Sequence, residues 1–264
     1  MLNPGPYFEG RRALVVGGSQ GIGLSLAQQL TELGCEVTVA ARNQSRLDSV
    51  TGSLVGSHSL SLDVSDESDT QKKLEKLCRT DGVPDFVFNC AGLAHPGYLD
   101  DQSPRKLREM MDVNFFGTMV VCRTLLPYFK QRGSGVFVNT SSLGGLMGLF
   151  GYTGYCASKY AVVGFSEALR REVKPYGLHV TLLCPPNTKT PGLSRENLSK
   201  PQEVLAQEKN VKEVEPDFVA NKLLKALPRN PSLVIPTLDG WLAYYLSRFA
   251  PTLLDKFLRR PVAH

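Results

Sequence analysis

The chain has 264 residues, of which 42% are hydrophobic and 21% charged, with a net charge of +5 and six cysteines. These values suit one soluble globular domain over 1–264 and exclude long disorder; no window approaches the roughly 18 uninterrupted apolar residues of a spanning helix. The positive charge is scattered, without a basic run or a nucleic-acid motif, so nucleic acid is not an expected partner.

The opening MLNPGPYFEGRR carries no apolar leader core, and the cysteines are widely spaced within mostly apolar runs. The expectation is a reducing, cytoplasmic setting with no metal site. Short apolar or β-branched runs then alternate with helical patterns: ALVV near 13, a helix from about Gly21, EVTVA near 36, HSLSL near 58, DFVFN near 85, GVFVN near 135 and HVTLL near 179. Strands alternating with helices predict an α/β, Rossmann-type doubly wound parallel sheet of about seven strands, covered on both faces. Such sheets bind ligands beyond the carboxyl ends of their strands.

After the first strand comes Gly17-Gly18-Ser19-Gln20-Gly21-Ile22-Gly23, leading into a helix with Leu26, Leu30 and Leu33 on one face. Glycines allow the backbone to approach a pyrophosphate whose charge the helix N-terminus stabilises, although a glycine-rich turn can also be a mere sharp connection. The second strand ends in Ala41-Arg42, where a site for unphosphorylated NAD usually carries an acidic residue for the ribose 2′-hydroxyl. An arginine there matches a 2′-phosphate in charge and fork geometry, so NADPH/NADP+ is the expected cofactor. Otherwise Arg42 is an ordinary exposed arginine at a helix start. Asp63-Val64 could contact adenine, and Asn89-Cys90-Ala91-Gly92 could let the cofactor pass close to the backbone.

Two tyrosines, Tyr152 and Tyr155, precede Lys159. Tyr155 and Lys159 are i and i+4, on one helical face, where an ammonium can stabilise a phenolate. With the glycine motif and the Asn-Cys-Ala-Gly strand end, this resembles the short-chain dehydrogenase/reductase family over nearly the whole chain. In that family the active tyrosine lies four residues before the lysine and thirteen after a serine, spacings met by Tyr155, Lys159 and Ser142. Tyr152 misses them and is expected to pack or to line the substrate cleft.

The resemblance implies that Tyr155 donates a proton to a carbonyl as hydride arrives from the nicotinamide, and that Lys159 lowers the tyrosine pKa and holds the ribose. Ser142 would orient the carbonyl and Asn114 would hold a water in the proton relay. It also implies that Pro185, Thr188 and Thr190 join the cofactor site, and that chains pair as a homodimer or homotetramer, often through the helices bearing 104–131 and 153–175.

The irregular segment 186–212 is the expected lid over the substrate. Within it, CPPNTKTPGLSRENLSKP, together with GLFGYTGYCASKYAVVGFSEALRREVKPYG, resembles the 3-ketodihydrosphingosine reductases, which reduce the ketone of a long-chain sphingoid precursor with NADPH. Val16 for Thr, Asn187 for Asp and Leu193 for Phe depart from that pattern. A 3-oxoacyl thioester or steroid substrate is the alternative, the former needing a basic patch for which Lys189, Arg195 and Lys200 are the local candidates; a non-catalytic NADP-binding sensor is the third reading. Residues 238–260 place Leu238, Trp241, Leu242, Tyr245, Leu246 and Phe249 at helical spacing, then Leu253, Leu254, Phe257 and Leu258, beside Arg248, Lys256, Arg259 and Arg260. This segment fits either peripheral contact with a membrane, such as the cytosolic face of the endoplasmic reticulum in a eukaryote, or packing on protein.

Overall fold

A computed structural model describes residues 4–209 and 211–258. In chain order its elements are α1 (Gly5–Phe8), β1 (Arg12–Val16), α2 (Gly21–Glu32), β2 (Glu36–Ala41), α3 (Gln44–Ser53), β3 (His58–Ser61), α4 (Glu67–Thr80), β4 (Phe86–Asn89), α5 (Pro104–Met111), α6 (Gly117–Arg132), β5 (Gly135–Thr140), α7 (Thr153–Val173) and β6 (Leu178–Leu183). There follow α8 (Pro191–Asn197), α9 (Gln202–Glu208), α10 (Pro216–Ala226), β7 (Leu233–Val234), α11 (Leu238–Phe249) and α12 (Pro251–Leu258). The seven strands form one sheet in the order β3-β2-β1-β4-β5-β6-β7, and every pairing is parallel.

Strand alternation divides the apolar residues between two cores. Ala13 and Val15 of β1, Phe86 and Phe88 of β4, and Val136 and Val138 of β5 pack with α2 and α10 residues such as Leu26, Leu30 and Leu223. Leu14, Val16, Val87 and Phe137 face the other way, against Leu74, Val121, Leu125 and Leu169 of α4, α6 and α7. Because both faces are covered, the strands read as continuous apolar runs rather than as alternation. The chain crosses from β3 on one side of β1 to β4 on the other, and this reversal opens a crevice at the carboxyl ends of β1 and β4.

Two features set the geometry of that crevice. Asp112–Phe116 form a π-helical turn between α5 and α6, a local widening frequent at functional sites. At the end of β4, Asn89 lies directly opposite Asn139 of β5. Its amide donates to Asn139 Oδ1 at 2.9 Å, while Asn139 donates to Ser166 Oγ of α7 at 3.0 Å.

The segment 186–212, expected to be irregular, contains α8 and α9. Two of its prolines start helices instead of breaking them: Thr190 caps α8 by accepting from Leu193 N at 3.1 Å with Pro191 as its first residue, and Pro201 precedes α9. The C-terminal stripe is likewise two helices, parted at Ala250; Arg259 and Arg260 lie outside the described residues. Among the described residues no helix is long and apolar enough to cross a membrane. All six cysteines are free thiols.

Candidate active site

The crevice is a cavity of about 830 Å³ running from α3 to α8. At its floor the turn after β1 is forced to be glycine. Gly17 has φ +81°, and a Cβ there would stand 2.5 Å from Ala91 N, so the two strand ends touch backbone to backbone. Gln20, the N-cap of α2, makes no side-chain capping bond, whereas α3, α4 and α5 are capped by Asn43, Asp66 and Ser103. The first amides of α2 are thus free of a side-chain cap at a cavity wall formed by Ser19, Gln20, Gly21, Ile22 and Gly23, an arrangement that suits a pyrophosphate.

Beyond it, the wall holds Arg42, Asn43, Arg46, Leu62, Asp63 and Val64. Arg42 Nη1 lies 3.8 Å from Asp63 Oδ2, with both side chains exposed. Sequence reasoning missed Arg46, whose Nη1 donates to Gln20 Oε1 at 2.9 Å. The available signal was Asn43: by accepting from Arg46 N at 2.9 Å it starts α3 there, and α3 carries Arg46 back over the glycine turn. Two guanidiniums therefore border the end of the cavity remote from Tyr155.

At the other end stand Cys90, Ala91, Gly92, Thr140, Ser141, Tyr155, Lys159, Pro185, Thr190, Gly192, Arg195 and Glu196. Lys159 is 4% exposed and donates through Nζ to Thr140 O at 3.0 Å, and Ser141 Oγ donates to Lys159 O at 2.9 Å, tying α7 to the end of β5. Burial lowers the Lys159 pKa to about 8. Burial pushes Tyr155 well above the usual phenol value, opposed by a hydrogen bond from Ser142. Lys159 Nζ lies 5.8 Å from the centre of the Tyr155 ring. In this structure Ser142, not Lys159, is the group that pulls the Tyr155 pKa down, and desolvation outweighs it, so the phenol stays protonated at neutral pH.

Asn114 sits within the π-helical turn and holds the loop after β4: its Oδ1 accepts from Leu93 N at 2.8 Å, and Nδ2 donates to Leu93 O and Ser158 Oγ, both at 2.9 Å. A Cβ on Gly92 would meet Asn114 Oδ1 at 3.2 Å and Lys159 Nζ at 3.3 Å, so both groups close on the same glycine. Asn89 is instead turned into the interior, and Thr188 is buried, donating to Pro186 O at 2.8 Å; neither side chain forms part of the cavity wall. Tyr152 is 5% exposed and packs edge-on to Tyr155, ring centres 5.7 Å apart.

The sequence pattern of the short chain dehydrogenase family matches residues 11–201. The chain belongs to the short-chain dehydrogenase/reductase family. As a member it is an oxidoreductase using a nicotinamide cofactor, and the turn, the free amides of α2 and the two arginines fit such a dinucleotide. It is 34% identical over 236 residues to the 3-ketodihydrosphingosine reductase of Bos taurus, covering 85% of this chain and 71% of that protein. It is also 34% identical over 190 residues to a 3-oxoacyl-[acyl-carrier-protein] reductase of Homo sapiens, covering 70% of this chain and 80% of that protein. Among solved structures, the 3-ketoacyl-(acyl-carrier-protein) reductase of Brucella melitensis, complexed with NADH, matches with a TM-score of 0.77 at 25% identity, covering 87% of this chain and 95% of that one.

Proposed function

We propose that this reductase uses NADPH to reduce the ketone of 3-ketodihydrosphingosine to the secondary alcohol. The observation that carries the reading is one continuous cavity with two arginines at one end and Tyr155 and Lys159 at the other. The bound cofactor supplies a hydride to the carbonyl carbon. The Tyr155 phenol, kept protonated by burial, gives its proton to the carbonyl oxygen, and Ser142 orients that oxygen. The phenolate left behind is stabilised by the Ser142 hydroxyl and the Lys159 ammonium, and a water at Asn114 returns the proton. Arg42 and Arg46 would hold the 2′-phosphate.

The long-chain substrate is supported by the similarity to the Bos taurus reductase over most of the chain. A thioester substrate finds less support, because two of the three cations near the lid are taken: Lys189 pairs with Glu215 and Lys200 with Glu208. Association as a homodimer or homotetramer through the helices bearing 104–131 and 153–175 is proposed on the exposure of Phe116 and Tyr160. Peripheral membrane contact is proposed on the exposure of Leu238, Leu242 and Phe249 along α11. The deciding experiment follows reduced-nicotinamide absorbance with NADPH and 3-ketodihydrosphingosine in detergent. Turnover that disappears in Tyr155→Phe supports the assignment; an inert wild-type enzyme that still binds NADPH removes the substrate.

A further inference from the structure

Tyr152 has a task that its spacing from Lys159 did not suggest. Its hydroxyl donates to Glu196 Oε2 at 3.4 Å, reaching from the start of α7 to the lid helix α8. Glu196 lines the same cavity as Tyr155 and Lys159, and its charge is felt by both of them. A carboxylate is an unusual wall for the cleft of a reductase acting on a lipophilic ketone, since it adds desolvation cost and no apolar contact.

No cation among the described residues pairs directly with it. Lys200, whose side chain is 1% exposed, is paired with Glu208 at 2.5 Å, and its ammonium also lies 5.8 Å from the centre of the Tyr152 ring. Lys159 attracts Glu196 from a distance while its ammonium is bound to Thr140 O, and Arg195 is exposed. Among the described residues no cation lies within ion-pair distance of Glu196. The Glu196–Lys200–Glu208 group therefore carries one more negative charge than positive, and burial raises the Glu196 pKa despite the attraction of Lys200. A site that keeps an underpaired carboxylate beside its reacting centre is complementary to a substrate that brings the missing cation.

We infer that the Glu196 carboxylate, standing in the same cavity as Tyr155 and Lys159, recognises an ammonium group on the carbon next to the ketone. This rests on the proposed substrate class, because 3-ketodihydrosphingosine carries an amine at that carbon whereas a 3-oxoacyl thioester carries only a methylene. An ammonium nitrogen two bonds from the carbonyl carbon stays close to whatever holds the carbonyl oxygen. Its carboxylate must therefore stand near the Tyr155 hydroxyl without occupying the carbonyl's place. Tyr152 sets that separation, with its ring against Tyr155 and its hydroxyl on Glu196. Glu196 is thereby the residue that distinguishes an amino ketone from a plain one, and Tyr152 is its positioning residue.

The test compares two ketones of the same chain length, 3-ketodihydrosphingosine and its amine-free counterpart 1-hydroxyoctadecan-3-one, with wild type, Glu196→Gln and Tyr152→Phe. Glu196→Gln keeps the acceptor for Tyr152 and removes only the charge. It is expected to lower kcat/KM for the amino ketone at least about 30-fold, chiefly through KM, with little change for the amine-free ketone. Tyr152→Phe is expected to lower the same preference by a smaller factor, with NADPH binding unaltered in both variants. Equal losses on both ketones would make Glu196 a lid latch and overturn the assignment, as would an undiminished preference for the amine. Wild-type enzyme active on the amine-free ketone but inert on the amino ketone would instead overturn the substrate class itself.

Discussion

The two ends of the cavity are built by different means. At the dinucleotide end, backbone does most of the shaping: strand ends in parallel register, a turn that only glycine can make at Gly17, and the amides of α2. At the substrate end the wall relies on side chains of α7 and α8, among them Tyr155, Lys159 and Glu196, with Glu196 held from behind by Tyr152 and Lys200 paired with Glu208. Backbone construction ties a site to the fold and therefore to the whole family, whereas side-chain construction lets one scaffold take different ketones.

The largest effect is expected at the Tyr155 end. Tyr155→Phe removes the proposed proton donor and should lower kcat by about 10²- to 10⁴-fold, with NADPH fluorescence titration unchanged. A variant retaining more than a tenth of the activity would mean that another group supplies the proton. At the dinucleotide end, Arg42→Ala combined with Arg46→Ala should weaken NADPH by about 10- to 100-fold while leaving NADH nearly unaffected. Equal losses for the two cofactors in calorimetry would remove the 2′-phosphate assignment.

The pH profile sharpens the comparison from inside the site. Burial lowers the Lys159 pKa to about 8, so its ammonium is present below that pH and is lost as pH rises through it, while Tyr155 remains protonated across the range. Reduction should accordingly hold steady from neutral pH and fall about tenfold per pH unit above the bend. A flat kcat/KM profile up to pH 10 would show that the Lys159 charge is not needed. The smallest effect on the enzyme itself is expected on the exposed face of α11. Phe249, 82% exposed on α11, can become Glu with stability changed by no more than about 0.5 kcal/mol. Sedimentation with anionic liposomes should nonetheless drop, and unchanged sedimentation would exclude α11 as a membrane contact. Deleting the whole helix is a poorer test, because Trp241 and Tyr244 pack against the buried cluster of Val162, Val163, Leu182, Cys184 and Ile235.

How far each end could be read from sequence follows from the same contrast. Gly17, Gly21, Gly23, Ala91 and Gly92 were legible because backbone needs leave a residue signature at fixed spacing, and the i, i+4 relation of Tyr155 and Lys159 survives folding unchanged. Arg46 was missed because its position depends on where α3 begins, which Asn43 decides. Glu196 was missed because it belongs to a helix hidden within a stretch of Pro, Thr, Asn and Gly, and those residues signal a loop unless their capping role is seen. Asn89 was read as a cofactor neighbour from its place at a strand end, yet inward or outward orientation there turns on the sheet partner, Asn139. The downward pull on the Tyr155 pKa was inferred from a neighbouring charge, while burial, a property of the whole fold, has the larger effect.

The hydrogen bonds from Asn89 to Asn139 and on to Ser166 have a further consequence for alignment. In a parallel sheet that is apolar on both faces, a strand slipped by one residue exchanges one greasy set for another, so the hydrophobic pattern discriminates weakly between registers. Amides facing each other in the dry interior do discriminate, because a slip would strand each among hydrocarbon at roughly 1–3 kcal/mol apiece. Ser166 lies seven residues beyond Lys159 on α7, two turns along the same helical face. The buried amides therefore act as a vernier: they index β5 against β4 and α7 against both, and Lys159 takes its address from the core before any ligand arrives.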